Sequence, residues 1–253
     1  MVKISIIIAT FNAGKILLKC LDSIIPQLSS VTELVIIDGG SKDNTLEIIE
    51  KYRRSISYIV SERDKGIYDA WNKGIKVANG EWIMFLGADD VLLPNALSSY
   101  LDYLQNGDYS NFDLISSKCK LVAVNGKEVR TFGSLWTWSQ CIKGVQISHP
   151  GALQNKTFFE EVGLYNLDYH ISADYELLLR KADKLKTSFM NVFTVQMREG
   201  GMSYSYKSIN EYYNIIKRCP KVTPLYAFVL WVNMVIRFAI KTQFRKIGIN
   251  IHS

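Results

Sequence analysis

The sequence predicts an α/β fold: a doubly wound, mostly parallel central sheet with helices on both faces, followed by an amphipathic helical tail. Three observations carry this. Short β-branched runs alternate with segments of helical periodicity through residues 3–90, the pattern of successive strand–helix–strand units. The run Trp82 to Leu86 is apolar without alternation, as in a strand buried on both faces of a parallel sheet. Residues 225–240 (LYAFVLWVNMVIRFAI) are mostly apolar, with Lys241, Arg245 and Lys246 behind them.

In chain order, residues 3–9 (KISIIIA) form a first strand, ended by Thr10-Phe11-Asn12-Ala13-Gly14. Leu17, Leu18, Leu21, Ile24 and Ile25 recur at helical spacing up to Pro26. Leu34 to Ile37 is a second strand, closed by Asp38-Gly39-Gly40-Ser41. Asp43-Asn44 can cap a helix whose apolar positions are Leu46, Ile48, Ile49 and Tyr52. Tyr58 to Val60 is a third, weaker strand, and residues 67–78 form a helix stopped by Asn79-Gly80. The fourth strand, Trp82 to Leu86, ends at Gly87-Ala88 and two adjacent acids, Asp89 and Asp90.

Beyond Asp90 the rhythm changes. Pro94 to Leu104 reads as a helix and Asp113 to Lys118 as a strand. Asn125-Gly126 between LVAV and KEVR predicts a hairpin with a two-residue turn. Residues 134–148 show no clear period. Lys156 to Val162 and Ala173 to Ala182 read as short helices, and Thr187 to Met197 as a strand before Gly200-Gly201. No boundary separates this half from the first, so it is read as completing one sheet.

Composition narrows the partners. The 253 residues are 48% hydrophobic and 21% charged, ordinary for a folded globular chain and contrary to disorder. The net charge of +6 favours anionic partners: nucleotides, nucleic acid or an acidic membrane surface. Scattered basic residues disfavour nucleic acid. Four cysteines lie far apart without a CxxC pair, which argues against structural zinc and a disulfide framework and suits a reducing compartment. The apolar run at the start is too short for a signal peptide.

Four loops should open on one rim, at the carboxyl ends of the strands, where open α/β sheets bind ligands. They carry Thr10 and Asn12; Asp38, Gly39 and Gly40; Glu62, Arg63, Asp64, Lys65 and Gly66; and Asp89 and Asp90. A carboxylate after the second strand suits a ribose or base, and Arg63 and Lys65 suit phosphates. Asp89 and Asp90 fit either a Mg²⁺ or Mn²⁺ site or a helix cap before VLLPNAL. Each loop alone is also ordinary turn chemistry; four on one edge are more specific. Neither a GxGxxG nor a Walker sequence is present.

SIIIATFN (5–12), LVIIDGGSKDNT (34–45), SERDKGIYDAWNKGIKVANGEWIMFLGADD (61–90), SHPGALQNKTFFEEVGLYN (148–166), SADYELLLR (172–180) and GGMS (200–203) follow one another in order. Together they resemble the family-two glycosyltransferases of the GT-A fold, near the small bacterial transferases that build O-antigen and capsule repeat units. The resemblance implies a nucleotide-sugar donor, usually UDP-linked, a Mn²⁺ or Mg²⁺ cofactor, and inversion at the anomeric carbon. It places Thr10, Asp38, Asp64, Lys65, Gly66 and Asp89 at the nucleotide, Asp89 with Asp90 at the metal, and Asp174 as the catalytic base; Asn12 and Arg63 join the nucleotide set from the rim loops. By position alone, Asp174 reads first as an acid favourable at a helix N-terminus, and it is the resemblance that turns it into a base. Gly87 stands where the family's metal motif usually has its first acid, and Ala173 replaces the usual acid before Asp174.

The resemblance divides the chain into a nucleotide-binding half (1–92) and an acceptor-binding half (93–222) of one transferase domain, with an apolar, basic tail (223–253). His149, beside Pro150, suits an acceptor or phosphate, or is a structural loop histidine. Trp138, with Trp136, suits a sugar-stacking wall or the core. Arg198 and Ser203, with Tyr204 and Tyr206, flank the glycine pair as a lid or a solvated loop. The tail run is shorter than a spanning helix, and Asn233 and Arg237 interrupt it; it fits an interfacial helix or a terminal core helix. The leading expectation is a metal-dependent inverting transferase, peripheral on the cytoplasmic membrane face, acting on a lipid-diphosphate-linked glycan. The alternatives are a nucleotidyltransferase and a non-catalytic nucleotide- or glycan-binding partner in a membrane assembly.

Overall fold

The computed structural model describes residues 2–123, 125–144, 147–201 and 205–246. In chain order its strands and helices are β1 (Ile4–Thr10), α1 (Leu17–Ile24), β2 (Thr32–Asp38), α2 (Thr45–Lys51), β3 (Tyr58–Ser61), α3 (Ile67–Val77), β4 (Trp82–Gly87), β5 (Val91–Leu92), α4 (Ala96–Gln105), β6 (Leu114–Val122), β7 (Glu128–Phe132), α5 (Trp138–Cys141), β8 (Leu153–Asn155), α6 (Lys156–Val162), α7 (Ala173–Leu179), β9 (Thr187–Arg198), α8 (Tyr206–Ile216) and α9 (Pro224–Lys246). They build one mixed sheet in the order β3-β2-β1-β4-β8-β6-β9-β5, with β7 added on β6.

The first four major strands pair in parallel, as the alternating pattern predicts. β6 and β9 are also parallel, whereas β8, β7 and β5 run antiparallel to their neighbours. Successive side chains of a strand point to opposite faces. Ile6 and Ile8 therefore pack with α1, α2 and α4 on one face. Ile7 packs with α3, α6, α7 and α8 on the other. β1, β2 and β4 are almost completely buried, because both faces are covered.

The second half departs from expectation in four places. The helix expected from Pro94 begins only at Ala96, with Asn95 in the left-handed region at φ 64°. Asp90 does not cap it: Val91 and Leu92 form a short strand on β9 instead. LVAV is not a separate strand, since β6 runs unbroken to Val122 before pairing with β7. The helix from Ala173 stops at Leu179 and is followed by a 3₁₀ turn from Ala182, whose φ is 50°.

α8 and α9 close the described chain. α9 is longer than its apolar run suggests: Pro224–Phe244 is long and apolar enough to cross a membrane. One edge packs on the body through buried Ala227 and partly buried Leu230 and Met234. Trp231 donates its indole N–H to Asn210 of α8 at 3.0 Å. The opposite face leaves Leu225, Phe228, Val229, Ile236 and Ile240 exposed.

Candidate active site

The rim is organised around one carboxylate. Asp38, at the end of β2, is fully buried and accepts five hydrogen bonds. Its Oδ1 takes the hydroxyls of Thr10 at 2.9 Å and Ser41 at 2.5 Å. Its Oδ2 takes the Ser61 hydroxyl at 2.6 Å and the backbone N–H groups of Gly40 and Ser41 at 3.0 and 2.9 Å. Burial pushes this carboxyl up, but the bonds from Ser41, Ser61 and Thr10 outweigh it and hold it below the usual aspartate value. As it stands, Asp38 ties the ends of β1, β2 and β3 together; contact with a nucleotide would replace one of these donors. Asn12, exposed with φ 48°, accepts the Lys42 N–H at 2.9 Å and gives its own N–H to Ser41 at 2.8 Å.

Above this knot lies a cleft of about 550 Å³ lined by Thr10, Phe11, Gly39, Arg63, Asp64 and Gly66, with Ile67, Ala70 and Ala88 among the other walls. Lys73 fixes the 62–64 loop, reaching Glu62 at 2.8 Å and the Arg63 carbonyl at 3.3 Å. Asp64 accepts the Gly66 N–H at 2.9 Å and lies so close to Gly39 that a Cβ there would meet Asp64 Oδ2 at 2.6 Å. The exposed Lys65 gives its backbone N–H to Asp69 at 3.0 Å. Phe11, which the sequence reading passed over, is 64% exposed and lines the cleft. Its sequence signal is its place between Thr10 and Asn12 in the loop that ends the first strand.

Asp89 and Asp90 stand at the end of β4, next to Ala88 in the cleft wall. Asp89 is exposed, while Asp90 is buried and accepts the Gly87 N–H at 2.8 Å. Burial first, and then the Asp89 charge, push Asp90 up to about 8. A Cβ on Gly87 would meet Asp89 Oδ1 at 2.9 Å and Asp90 Oδ2 at 3.1 Å, so both carboxylates occupy the room that a side chain at 87 would need. Two neighbouring acids, with no ion-pair partner among the described residues, fit a hard divalent cation, which takes one or two protein carboxylates and completes its shell with phosphate and water. Among the described residues no group of three or more His, Cys, Asp or Glu side chains is placed to hold a metal.

A second cluster lies on the other side of α3. Asp174, in the first turn of α7, faces the Tyr68 hydroxyl, which is 2.9 Å from its Oδ1 and 2.7 Å from the Ile171 carbonyl. Nearby, the His149 ring stacks on Phe85 at 5.4 Å and lies 4.9 Å from Trp71. Its nitrogens reach Gln154 at 3.3 Å and Tyr165 at 3.4 Å. Burial pulls His149 below its usual value, against the Asp174 charge, which raises it; a neutral ring at pH 7 follows. Trp71 Nε1 and Gln154 Oε1 are buried without a hydrogen-bond partner among the described residues.

The backbone before Asp174 is held from behind by Glu211 of α8. This buried carboxylate accepts the N–H groups of His170, Ile171 and Ser172 at 3.1, 2.9 and 3.0 Å. Neither Glu211 nor Tyr68 was singled out from the sequence. Ile209, Tyr212 and Ile216 at helical spacing, after Ser205, carried the missed signal for α8.

The remaining candidates lie apart from the cleft lining. Trp136 is buried in the core, and Trp138 packs partly buried against it. Arg198 is exposed at the end of β9. Ser203 and Tyr204 lie outside the described residues.

Comparison with known proteins bears on this arrangement. The family model described as Glycosyl transferase family 2 matches residues 5–161. A "PGL/p-HBAD biosynthesis glycosyltransferase" of Mycobacterium tuberculosis is 32% identical over 206 residues, covering 79% of this chain and 78% of that protein. The crystal structure of S. aureus TarS 1-349 in complex with UDP-GlcNAc superposes with a TM-score of 0.66 at 19% identity, over 93% of this chain and 72% of that one. Glucosyl-3-phosphoglycerate synthase from Mycobacterium tuberculosis, in complex with Mn²⁺, UDP and glucosyl-3-phosphoglycerate, superposes with a TM-score of 0.60 at 18% identity, over 86% of this chain and 80% of that one. At these identities the two structures show a shared fold.

Proposed function

The chain belongs to glycosyl transferase family 2, and on that premise we propose that it is an inverting transferase that moves a sugar from a nucleotide diphosphate sugar to a lipid-diphosphate-linked glycan acceptor in bacterial surface polysaccharide synthesis. The observation that carries this reading is the double use of α3. Ile67 and Ala70 line the cleft, and Tyr68 between them touches Asp174. The proposed base thus stands beside the proposed donor site.

In this reading Phe11 stacks on the base, and Asp64 faces the base and ribose. Arg63 and Lys65 add positive charge at the diphosphate. Asp89 and Asp90 would hold Mn²⁺ or Mg²⁺; when bound, the cation offsets the negative charge that develops on the departing diphosphate. Asp174 takes the proton of the acceptor hydroxyl. That oxygen bonds to the anomeric carbon as the carbon–oxygen bond to the diphosphate breaks, and the electron pair leaves with the nucleotide. UDP is taken as the nucleotide because TarS, which shares the fold, is complexed with UDP-GlcNAc. His149, partly exposed beside Asp174's cluster, is the polar side chain proposed for the acceptor side.

The tail belongs to the same proposal. α9 contains no acid and carries Arg237 and Lys241. Its exposed apolar face suits the boundary of an anionic cytoplasmic leaflet, and its packing on α8 favours lying along that surface over crossing it.

The test is a donor screen. The protein with Mn²⁺ is incubated with UDP-glucose, UDP-galactose, UDP-GlcNAc or GDP-mannose and a synthetic prenyl-diphosphate-linked N-acetylhexosamine, and the product linkage is read by NMR. Transfer with inversion is expected, and Asp174→Asn lowers it at least ~100-fold with UDP binding retained. Retention of configuration, or full activity of the variant, would sink the mechanism.

A further inference from the structure

We infer that Tyr68 is a positioning residue that aims the Asp174 carboxylate from the helix that also borders the nucleotide. This rests on the assignment of Asp174 as base and deepens it.

The geometry is specific. The Tyr68 hydroxyl has one proton and two acceptors, Ile171 O at 2.7 Å and Asp174 Oδ1 at 2.9 Å. That single proton is shared, in a three-centre bond, between the carbonyl before Asp174 and the carboxylate itself. Burial, and then the adjacent Asp174 charge, hold its pKa well above the ordinary tyrosine value, so it remains a donor throughout the working pH range. The ring cannot swing freely: it packs edge-on to Trp71 at 5.4 Å and against Tyr165 at 5.3 Å. Tyr165 is itself tied to α3, since Asn72 exchanges two hydrogen bonds with its backbone, both at 2.9 Å.

The other side of the same backbone is clamped independently. Glu211 holds the N–H groups of residues 170–172, so removing the Tyr68 hydroxyl leaves the segment in place. What it loses is the constraint on the carboxylate. Tyr68 lies just two positions after Gly66 of the cleft wall. The donor loop and the proposed base are thereby both set by α3. A base held by an oriented hydrogen bond stays within reach of the acceptor hydroxyl, and small misplacements of such groups cost rate steeply.

The test compares Tyr68→Phe, Asp174→Asn and the double variant in the full chain. Two rates are measured: transfer with the pair that turns over in the donor screen, and release of UDP from UDP-GlcNAc to water, which needs the same proton removal without an acceptor. UDP affinity with Mn²⁺ is read by calorimetry and folding by thermal denaturation. The expected result is a roughly 10–100-fold fall in kcat for Tyr68→Phe, with donor KM, UDP affinity and Tm unchanged. Adding Tyr68→Phe to Asp174→Asn should cause no further fall. Wild-type kcat in Tyr68→Phe, while Asp174→Asn is inactive, overturns the positioning role and leaves the base in place. Losses that multiply in the double variant overturn it as well. Full activity of Asp174→Asn overturns both assignments.

Discussion

Thr10 and Asp38 face each other in register across β1 and β2, and the Thr10 hydroxyl donates to the Asp38 carboxylate at 2.9 Å in a fully buried setting. The contact makes Asp38 the knot of the donor side. Asp38→Asn would turn an amide NH₂ toward donors that now find an acceptor, at a cost of about 1–3 kcal/mol. The pH dependence follows from the lowered folded value. The charged form's contribution is whole above the unfolded value near ~4 and is lost as pH falls through the folded one. Urea denaturation should show a clear gap between wild type and variant at pH 7 and a smaller one at pH 3.

Asp90 has the opposite sign. Its folded value of about 8 means that the folded chain keeps a proton that the unfolded chain has lost above ~4. Stability therefore declines as pH rises between those values. In chelator, wild type should melt at a lower temperature at pH 8.5 than at pH 6. Asp90→Asn, which can still accept from Gly87, should flatten that slope relative to wild type. Mn²⁺ at pH 8.5 should raise the wild-type Tm and leave the variant nearly unmoved.

Phe11→Ala separates binding from folding. The ring is 64% exposed, so its loss should leave Tm within experimental error. Loss of a stacking partner for the base should weaken UDP binding about 10-fold, within the ~1–3 kcal/mol typical of base–aromatic contacts. Unchanged calorimetric affinity would show that the base lies elsewhere.

Ile236→Glu tests the tail more cleanly than truncation, because removal of α9 would also remove Ala227, which is fully buried in the core. The substitution places an acid in the exposed apolar face. Co-sedimentation with phosphatidylglycerol-containing vesicles should drop strongly, while transfer to a short-chain soluble acceptor is kept. Vesicle binding that survives both this change and Val229→Glu would remove the membrane role from α9.

The first half of the fold was legible because its signals are local. β1, β2, α3 and β4 each announce themselves by a continuous apolar run or a 3.6-residue period, and their boundaries fall within a residue or two of expectation. β5 and β8 were not legible: strands of two and three residues carry no period, and their pairing is decided by β9 and β4. The same limit applies to the site. Thr10, Arg63, Asp64 and Gly66 could be placed on one rim from strand order alone. The ring cluster of Trp71, Phe85, His149 and Tyr165 joins segments that no spacing rule connects. Nor does any composition reveal that Asp38 would turn inward.

The two poles of the site differ in the length of chain that must be gathered to make them. The Thr10–Asp38 bond closes a separation of 28 residues, and the Tyr68–Asp174 bond one of 106. Short loops close at a lower entropic cost, and a growing polypeptide offers its N-terminal segments first. The donor pole is thus expected to mature early, with the Tyr68 hydroxyl waiting for an acceptor that arrives late. Pulse-labelled hydrogen exchange during refolding should find the Gly40 and Ser41 amides protected before those of Ile171 and Ser172, leaving an intermediate that binds UDP before it can transfer anything.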